Sequence, residues 1–377
     1  MNTFGRLLRM HIFGESHGQG VGAVFDGLPA GMPIEVARIQ AALDRRRPAQ
    51  GPATSSRREP DQLEILSGLY RGCSTGAPLA LWIANHDARE RDYRQLHTVP
   101  RPGHADWPAL VRSRGHHDVR GGGHFSGRLT APLVACGAIA AELLRGHGVE
   151  VAAHLHAVAG IEGGSATHDV AAMRAAVDGN RCKTAHQGLL EAFEAAIAEA
   201  RKAGDSVGGV IEFRAEGLPV GVGEPWTDSI ESHLSHLLFA IPAVKGVSFG
   251  AGFAAATMRG SEHNDGYRPD GDGGIETITN HAGGIVGGLS TGSPLWGHVA
   301  IKPTSSIFVR QQSVDLPSGQ ARELILRGRH DTLIAIRAVP VVEAAVALSL
   351  ADLLMVWHAE QGVGAAWPER SLSTEQE

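Results

Sequence analysis

Two segments of this chain, Ala131 to Arg145 and Val341 to His358, have helix-length patterns that are apolar on nearly every side. A helix at the surface of a domain carries a polar face, whereas a helix that is apolar all round is buried. Such helices need cover on more than one face, and β-sheets on both sides would supply it. We therefore predict a layered α+β protein with these helices inside.

The other predicted elements come from shorter patterns. Helices are predicted over Ile34 to Arg47, Gly188 to Lys202 and Asp228 to Ala240. Strands are predicted over Val21 to Phe25, Leu79 to Ile83, Gly209 to Ala215 and Leu295 to Pro303. Because no proline- or serine-rich linker divides the chain, we expect one domain over residues 1–367 and a disordered polar tail over 368–377.

Glycine is the compositional anomaly, with 49 of 377 residues against a usual share of about 7 %. It comes in pairs and triplets within apolar sequence: 121–123, 208–209, 273–274, 283–284 and 287–288. Only glycine lacks the Cβ that blocks close approach of a ligand or of another backbone. The pattern therefore indicates a deep binding site.

The formal net charge of −6 argues against a nucleic-acid-binding protein, which carries a basic excess. A local exception is the basic cluster of Arg45 to Arg47 and Arg57 to Arg58. The three cysteines, Cys73, Cys136 and Cys182, are odd in number and have no C-x-x-C spacing, so they indicate neither a disulfide framework nor a zinc ribbon. A reducing compartment suits them.

The N-terminus, Met1 to Arg6, has no apolar stretch of the kind that an export signal needs. The apolar run from Val341 to Trp357 contains Glu343 and Asp352, which argue against a membrane span. We therefore expect a cytoplasmic protein with no membrane or nucleic-acid partner.

The segment FGESHG (13–18) contains G-x-S-x-G, the pattern of a serine hydrolase nucleophile elbow centred on Ser16. Gly121 to Gly123 could then supply an oxyanion loop. An elbow follows several strands, however, and its oxyanion loop precedes it, whereas here the order is reversed. A glycine turn carrying a solvated histidine is the simpler interpretation.

A second segment, RPGHAD (101–106) with RGHHDVRGGGH (114–124), is rich in His and Asp. These residue types can bind a metal, but no pair has the HExxH spacing, so we predict no metal ligands. A glycine-rich turn that holds arginines and a histidine against an anion fits better, since guanidinium matches phosphate and carboxylate.

Two further segments indicate a function only when they are considered together with the others. KPTSS (302–306), after the glycine-rich NHAGGIVGG (280–288), offers one cation and several hydroxyls to a phosphate, although a plain Ser/Thr turn is the alternative. GRHD (328–331) precedes a buried helix and could be a capping loop with one ion pair.

Taken together, these segments resemble the chorismate synthase family. The resemblance lies in FGESHG (13–18), DRRRP (44–48), RREPDQ (57–62), RPGHAD (101–106), RGGG (120–123), GDSVGG (204–209), AVKGVSFG (243–250), NHAGGIVGG (280–288), KPTSSI (302–307), GRHD (328–331) and IRAVPVVEA (336–344). They follow the family's order across residues 4 to about 360.

The resemblance implies a β-α-β sandwich with central helices between antiparallel sheets, assembled as a homotetramer. It implies a shikimate-pathway lyase that removes the 3-phosphate and a C6 hydrogen from 5-enolpyruvylshikimate 3-phosphate by 1,4-anti-elimination, giving chorismate. That hydrogen is not next to a carbonyl, so a side-chain base alone faces a very weak carbon acid. Reduced FMN is the implied cofactor, lending electron density and recovering it without net oxidation.

The resemblance also implies roles for individual residues. The substrate's two carboxylates and phosphate would be bound by Arg46, Arg101, Arg128 and Arg329. His17 would protonate the leaving phosphate, His104 would protonate the reduced flavin near N1, and Asp331 would help flavin N5 accept the C6 proton. The implied FMN contacts are Arg46, His124, Phe125, Ser126, Ala243, Gly287, Lys302, Pro303, Thr304, Ser305, Ser306 and Arg329. The glycine groups 121–123, 283–284 and 287–288 would wrap the two ligands.

This chain departs from the family pattern in two places. Many members read GGGRSSARETA where it reads GGGHFSGRLTA (121–131), so fewer charged contacts to flavin are expected at His124 and Phe125. Members often carry another arginine where this chain has Pro52, and Arg57 or Arg58 would have to compensate. A flavin- or anion-binding protein that has lost catalysis is therefore a further alternative. Reduction by NADPH stays open, because no G-x-G-x-x-G follows a predicted strand.

Overall fold

The structure is a computed structural model and describes residues 2–47, 60–86, 96–164, 169–271, 273–326 and 330–365. The helices are α1 (Val36–Arg46), α2 (Asp106–Arg112), α3 (Thr130–Gly146), α4 (Val170–Asp178), α5 (Leu190–Lys202), α6 (Ile230–Leu238), α7 (Gly260–His263) and α8 (Ala335–Gly364). The strands are β1 (Thr3–Phe4), β2 (Arg9–Gly14), β3 (Gly20–Asp26), β4 (Leu63–Ser67), β5 (Leu69–Tyr70), β6 (Cys73–Ser74), β7 (Leu79–Ala84), β8 (Glu150–Val158), β9 (Ile161–Glu162), β10 (Gly209–Glu216), β11 (Val244–Phe249), β12 (Tyr267–Pro269), β13 (Ile275–Thr277), β14 (Ile285–Val286), β15 (Leu289–Ser290), β16 (Leu295–Ile301), β17 (Gln311–Asp315) and β18 (Gln320–Leu324). Every helix and strand predicted from the sequence is present, with shifted ends.

Two five-stranded antiparallel sheets form the outer layers of the molecule. The first has the order β1-β2-β3-β7-β4 and the second has the order β11-β16-β10-β8-β9. Burial alternates along β7 and β16, because successive side chains of a strand point to opposite faces. Each sheet therefore turns one face toward the core.

The helices predicted to be buried lie between the two sheets. Helix α3 packs against β3 and β7 of the first sheet, and α8 packs against β8 and β10 of the second. The two helices also pack against each other, and α1 contacts both. This arrangement confirms the expected β-α-β sandwich with central helices between antiparallel sheets.

The contact between the central helices is close enough to require a glycine. A Cβ placed on Gly137 of α3 would overlap the Cβ and backbone of Ala344 on α8. Small residues on facing positions let two helix backbones approach in this way, and their many dispersion contacts stabilise the layer. The small, apolar composition of α3 is thus explained by packing.

Helix α8 begins earlier than the sequence analysis predicted. We expected a start at Val341, where the nearly all-apolar pattern begins. The structure continues the helix from Ala335 through Pro340. The loss of one N–H donor in the second turn is outweighed by the burial of this segment, in which Ile336 and Val339 are almost fully inaccessible.

Asp352, a charged residue in the apolar sequence of α8, is buried and fully engaged. Its carboxylate accepts hydrogen bonds from the backbone N–H groups of Arg6, Leu7 and Leu8, each at 2.8 Å. Burial alone would raise the pKa of Asp352. His233 and these N–H groups lower that pKa by more than burial raises it, so the net shift is downward. The carboxylate therefore fastens the N-terminal segment to the core.

Two helical stretches, Gly127–Gly146 and Ala335–Gly364, are long and apolar enough to cross a membrane by length and composition alone. In each, about four-fifths of the most apolar window is buried inside the protein, at 78 % and 83 %. Both stretches therefore serve as central helices of the sandwich.

Candidate active site

A cleft of about 600 Å³ opens at one end of the central helices. The C-terminal end of α1 and the N-terminal ends of α3 and α8 meet there, beside the segments that precede β11 and follow β16. Exposed N–H groups at helix N-termini favour anions. The predicted site residues that line it are Arg46, Arg101, His104, His124, Phe125, Ser126, Arg128, Ala243, Lys302, Thr304, Ser305, Ser306 and Asp331.

Two of the predicted arginines share one buried carboxylate in this cleft. Arg46 Nη2 lies 2.5 Å from Asp61 Oδ2, and Arg128 Nη1 donates to Asp61 Oδ1. All three side chains are almost completely inaccessible. Arg128 is further fixed by Asn85, whose side-chain oxygen accepts from Arg128 Nε at 2.8 Å. The guanidinium groups are therefore held in place before any ligand binds.

The electrostatics of this cluster are unbalanced. Burial, with Arg337 and Arg128 nearby, lowers the pKa of the Arg46 guanidinium to about 10, although Asp61 opposes the shift. Burial alone would raise the pKa of Asp61, but Arg46 and Arg128 outweigh it and hold that pKa below its usual value. Arg46 Nε is buried and has no hydrogen-bond partner among the described residues. The single carboxylate of Asp61 thus pairs with two guanidinium groups, and Arg46 Nε remains available to donate a hydrogen bond to a ligand.

Arg101 and His104 are organised by a second carboxylate, Asp106. Arg101 donates from Nε to Oδ2 and from Nη2 to Oδ1, each at 2.8 Å. His104 Nδ1 lies 2.6 Å from Asp106 Oδ1. Burial alone would raise the pKa of Asp106, but hydrogen bonds from Arg101 and His104 hold it far below its usual value. The ionised carboxylate favours the proton on Nδ1, and His104 Nε2 lies 3.2 Å from Arg101 Nη2.

His17 lies directly behind the glycine turn that forms the cleft floor. Gly121 lines the cleft and has φ +60°, and a Cβ there would overlap the His17 imidazole. Gly122 and Gly123 also have positive φ, at +83° and +51°. The triplet therefore requires glycine both for its left-handed backbone and for the contact with His17. His17 itself is buried and does not line the cleft.

Ser16 lacks the structural setting of a hydrolase nucleophile. The FGESHG segment forms the hairpin turn between the antiparallel strands β2 and β3, whereas an elbow joins a strand to a helix. The Ser16 hydroxyl accepts a hydrogen bond from Ser126 Oγ at 3.1 Å and is 1 % exposed. The hydrolase alternative is therefore wrong.

The segment after β16 supplies a cation and hydroxyl groups to the opposite wall. Lys302 Nζ donates to the Gly103 carbonyl at 3.0 Å, and Arg101 Nη1 lies 3.5 Å from Ser306 Oγ. Burial and the neighbouring Lys245 lower the pKa of Lys302. Its charge is thus held beside another cation, where an anion would stabilise both.

Asp331 enters the cleft from the segment that precedes α8. Arg337, one turn into the helix, donates from Nη1 to Asp331 Oδ2 at 2.9 Å. The same arginine reaches from Nε to the backbone carbonyl of Arg46 at 3.3 Å. Arg337 thereby links the acidic side chain to the arginine cluster.

The altered residues His124 and Phe125 also line the cleft. His124 Nδ1 lies 2.8 Å from the Gly14 carbonyl, and its Nε2 lies 3.2 Å from Asn2 Oδ1. These contacts direct the imidazole toward the chain's own backbone. Phe125 is 43 % exposed and presents an apolar surface at the cleft.

Some predicted site residues lie elsewhere. Gly287 occupies the turn between β14 and β15, outside the cleft lining, and Pro303 is likewise absent from the lining. Gly283 would overlap the backbone of Gly250 if it carried a Cβ, and Gly288 would approach Glu224. None of the glycines 283–284 and 287–288 lines the cleft of this chain, and their expected role in wrapping the ligands stays a prediction. Arg329, Pro52, Arg57 and Arg58 lie outside the described residues.

The described lining carries an excess of positive charge. Its cations are Arg46, Arg101, Arg128, Lys245, Lys302 and Arg337, and its carboxylates are Asp61 and Asp331. The excess of four positive charges suits a polyanionic ligand, since guanidinium binds phosphate and carboxylate through paired hydrogen bonds.

Sequence reasoning assigned no role to Asp61, Asp106 or Arg337. Each lies inside a segment that carried the family resemblance, so the signal was present. What the spacing could not show is that Asp61 holds Arg128 in place, because the two residues are 67 positions apart.

Comparison with known proteins agrees with this geometry. The family model described as chorismate synthase matches residues 8–355. Chorismate synthases of Chitinophaga pinensis and Aeropyrum pernix are each 46 % identical to the chain, over 94 % and 95 % of its length and 97 % and 94 % of theirs. The chorismate synthase of Bordetella bronchiseptica is 45 % identical over 96 % of this chain and 99 % of its own.

The fold matches as well. A crystal structure of chorismate synthase superimposes with a TM-score of 0.74 at 27 % identity, covering 94 % of this chain and 93 % of that one. The chain therefore belongs to the chorismate synthase family, whose members are lyases of aromatic amino acid biosynthesis.

Proposed function

We propose that this protein converts 5-enolpyruvylshikimate 3-phosphate into chorismate and inorganic phosphate by 1,4-anti-elimination. The observation that carries the proposal is the cleft with Arg46, Arg101 and Arg128 held in place by carboxylates and a surplus of positive charge. A substrate with two carboxylates and a phosphate matches that surplus. Arg329 is proposed as a fourth contact on the family resemblance alone.

Reduced FMN is the proposed cofactor, and the cleft residues fit it. Lys302, Thr304, Ser305 and Ser306 offer one cation and three hydroxyl groups for a phosphate. Phe125 and Ile334 offer apolar surface for a flat ring, and Arg46 Nε offers an unused donor. When bound, the reduced flavin would supply electron density to the substrate, which helps the phosphate depart, and would recover it afterwards, so that no net oxidation occurs.

Three side chains are proposed to hold or move protons. His17, behind Gly121, protonates the leaving phosphate. His104, oriented by Asp106, holds a proton for the cofactor. Asp331, paired with Arg337, relays the C6 proton and so would help flavin N5 accept it. The support is position, since His104 and Asp331 line the cleft and His17 touches its floor.

Several wider expectations remain proposals. A homotetramer is supported by large apolar side chains exposed outside the cleft, such as Trp226 at 91 % and Phe253 at 90 %. A single domain over 1–367 is supported by one connected core that runs from Phe4 to Leu354. A cytoplasmic location is supported by three unpaired cysteines. NADPH is proposed as the reductant, sharing the flavin cleft.

Anaerobic conversion tests the proposed reaction. The protein is mixed with 5-enolpyruvylshikimate 3-phosphate and dithionite-reduced FMN, and chorismate is followed by its absorbance. Formation of chorismate is expected. Binding of both ligands with no product would instead support the alternative of a flavin- or anion-binding protein without catalysis.

Asp331→Asn is expected to lower turnover by roughly 10²- to 10⁴-fold, because the amide cannot take a proton from the substrate. Substrate affinity should stay within a few-fold, since the amide keeps the shape of the side chain. Steady-state kinetics and isothermal titration with substrate measure the two effects. Asp315→Asn, at an exposed hairpin turn, is the matched control and should behave as the unmodified protein. Lost substrate binding in Asp331→Asn would make Asp331 a structural residue.

Asp106→Asn is expected to weaken the positioning of His104. Removal of the carboxylate charge 2.6 Å from His104 Nδ1 leaves the imidazole without the partner that orients it, so turnover at saturating substrate should fall by up to roughly 10²-fold. Steady-state kinetics on the folded variant measures the change, and a purely structural role for Asp106 would lower the folded fraction while leaving turnover per folded molecule unchanged. Asp106→Glu, which restores the charge, should recover turnover in part.

A further inference from the structure

Four histidines and one glutamate meet on the face of the second sheet that is turned away from α8. His154 and His156 are alternate residues of β8, Glu212 lies on β10 and His298 on β16. The strand register places Glu212 opposite both His154 and His298, so these side chains share one face. His186 joins them from the segment between α4 and α5. None of these residues lines the cleft.

The donor atoms converge on the Glu212 carboxylate. Oε2 of Glu212 lies 3.4 Å from His156 Nδ1, 3.6 Å from His298 Nε2 and 3.7 Å from His154 Nε2. Zinc held at 2.0–2.1 Å in a tetrahedral site separates its ligand atoms by about 3.3 Å. The observed separations are therefore close to those of a ligand set, and slightly long for hydrogen bonds.

Several of these atoms are buried without a hydrogen-bond partner. Glu212 Oε2, His154 Nε2 and His298 Nε2 are inaccessible and have none within the described part of the chain. Glu212 and His154 are at least nine-tenths buried as whole residues. A buried carboxylate must be paired or must coordinate a metal, because its charge is costly to remove from water. No arginine or lysine is paired with Glu212 among the described residues.

We propose that Glu212, His156 and His298 bind one divalent transition-metal ion, preferably Zn²⁺, through Oε2, Nδ1 and Nε2. These three donors lie within 4.8 Å of one another. The His298 side chain is partly exposed but its Nε2 is inaccessible, and His154 Nε2, 3.7 Å from Glu212 Oε2, is the adjacent further donor. The ion would neutralise the buried carboxylate and cross-link β8, β10 and β16, as structural zinc sites do.

A second set of three donors overlaps the first. His154, His156 and His186 also lie within 4.8 Å of one another and share His156 with the proposed site. This set has no carboxylate, so it would leave Glu212 outside the coordination of the bound cation. The carboxylate-containing set is therefore the one assigned, and His154 and His186 surround it.

Direct titration tests the site in the full-length protein without an affinity tag. Zn²⁺ is titrated by calorimetry, and Co²⁺ by visible absorption, since tetrahedral Co²⁺ absorbs strongly whereas aqueous octahedral Co²⁺ does not. One ion per chain is expected, with a tetrahedral Co²⁺ spectrum. Zn²⁺ should also raise the melting temperature.

Matched variants locate the ion. His298→Ala should weaken Zn²⁺ binding by more than about 100-fold, since loss of even an outer partner costs 10- to 100-fold. His186→Ala should retain one tetrahedral site, and so should His147→Ala, which alters a stacked surface pair with His358. Failure of the unmodified protein to bind one Zn²⁺ per chain would overturn the proposal. Loss of Zn²⁺ binding in His186→Ala together with retained Zn²⁺ binding in His298→Ala would also overturn it. Chorismate formation is measured in parallel, so that this failure is separate from failure of the proposed reaction.

Discussion

Asp61→Ala is expected to lower the free energy of unfolding by about 3–5 kcal/mol, because it leaves two buried guanidinium groups without their shared counter-charge. Arg46 and Arg128 would then face each other across the space that Asp61 now fills. Urea unfolding followed by tryptophan fluorescence measures the change. Asp44→Ala is the matched control, because Asp44 pairs with Arg47 at the surface, where such pairs contribute at most about 1 kcal/mol.

The pH dependence of this effect has a definite sign. Arg46 and Arg128 hold the pKa of Asp61 below its usual value although burial opposes them. The carboxylate therefore stabilises the fold fully above the unfolded-state pKa of about 3.9, and this contribution is lost as the pH falls through the folded-state pKa. The difference between the unmodified protein and Asp61→Ala should shrink on acidification. Equal losses in Asp61→Ala and Asp44→Ala at neutral pH would contradict the account of the arginine cluster.

His17→Ala is expected to lower turnover by roughly 10- to 10⁴-fold, because the leaving phosphate would lose its proton donor. The imidazole is buried against Gly121, whose lack of a Cβ makes room for it at the cleft floor. Initial rates are measured anaerobically with saturating reduced FMN and substrate. Circular dichroism and FMN affinity establish that the variant is folded and binds its cofactor.

His11→Ala is the control for that experiment. His11 lies on β2, the strand that leads into the FGESHG turn, but it is exposed and bonded to Thr3 outside the cleft. Its removal should leave turnover unchanged. Full activity in a folded His17→Ala protein would remove His17 from the reaction and assign it to packing behind the glycine turn.

The layered fold could be predicted from the sequence because buried helices have apolar residues on every side. The two segments that are apolar all round became α3 and α8, and they occupy the layer between the sheets as their composition required. The start of α8 could not be predicted, since a proline at position 340 marks a boundary locally and only the tertiary burial of Ile336 and Val339 overrides it.

The site was predictable in its charges but less so in its geometry. The arginines of the sequence motifs do converge on the cleft, whereas the pairing of Arg128 with Asp61 joins segments 67 positions apart. Gly121 and Gly283 illustrate a second limit, because both require the absence of a Cβ, one for a histidine at the cleft and the other for neighbouring backbone. Composition cannot separate these two causes.

The histidine cluster shows the same limit in a different element. The H-x-H pattern places His154 and His156 on one face of β8, a strand that the sequence analysis did not predict. Glu212 and His298 come from other strands, and their register with β8 is set by the sheet as a whole. A ligand set of this kind becomes visible only after the strands are paired.

The central claim is that the cleft carries out an elimination in which reduced FMN takes part without being consumed. The most direct test measures chorismate, inorganic phosphate and the flavin spectrum together in one anaerobic reaction with substrate in large excess over FMN. The account predicts equal amounts of chorismate and phosphate, both far exceeding the flavin, with the flavin still reduced at the end. Phosphate released without chorismate, or one chorismate per flavin with the flavin left oxidised, would contradict it.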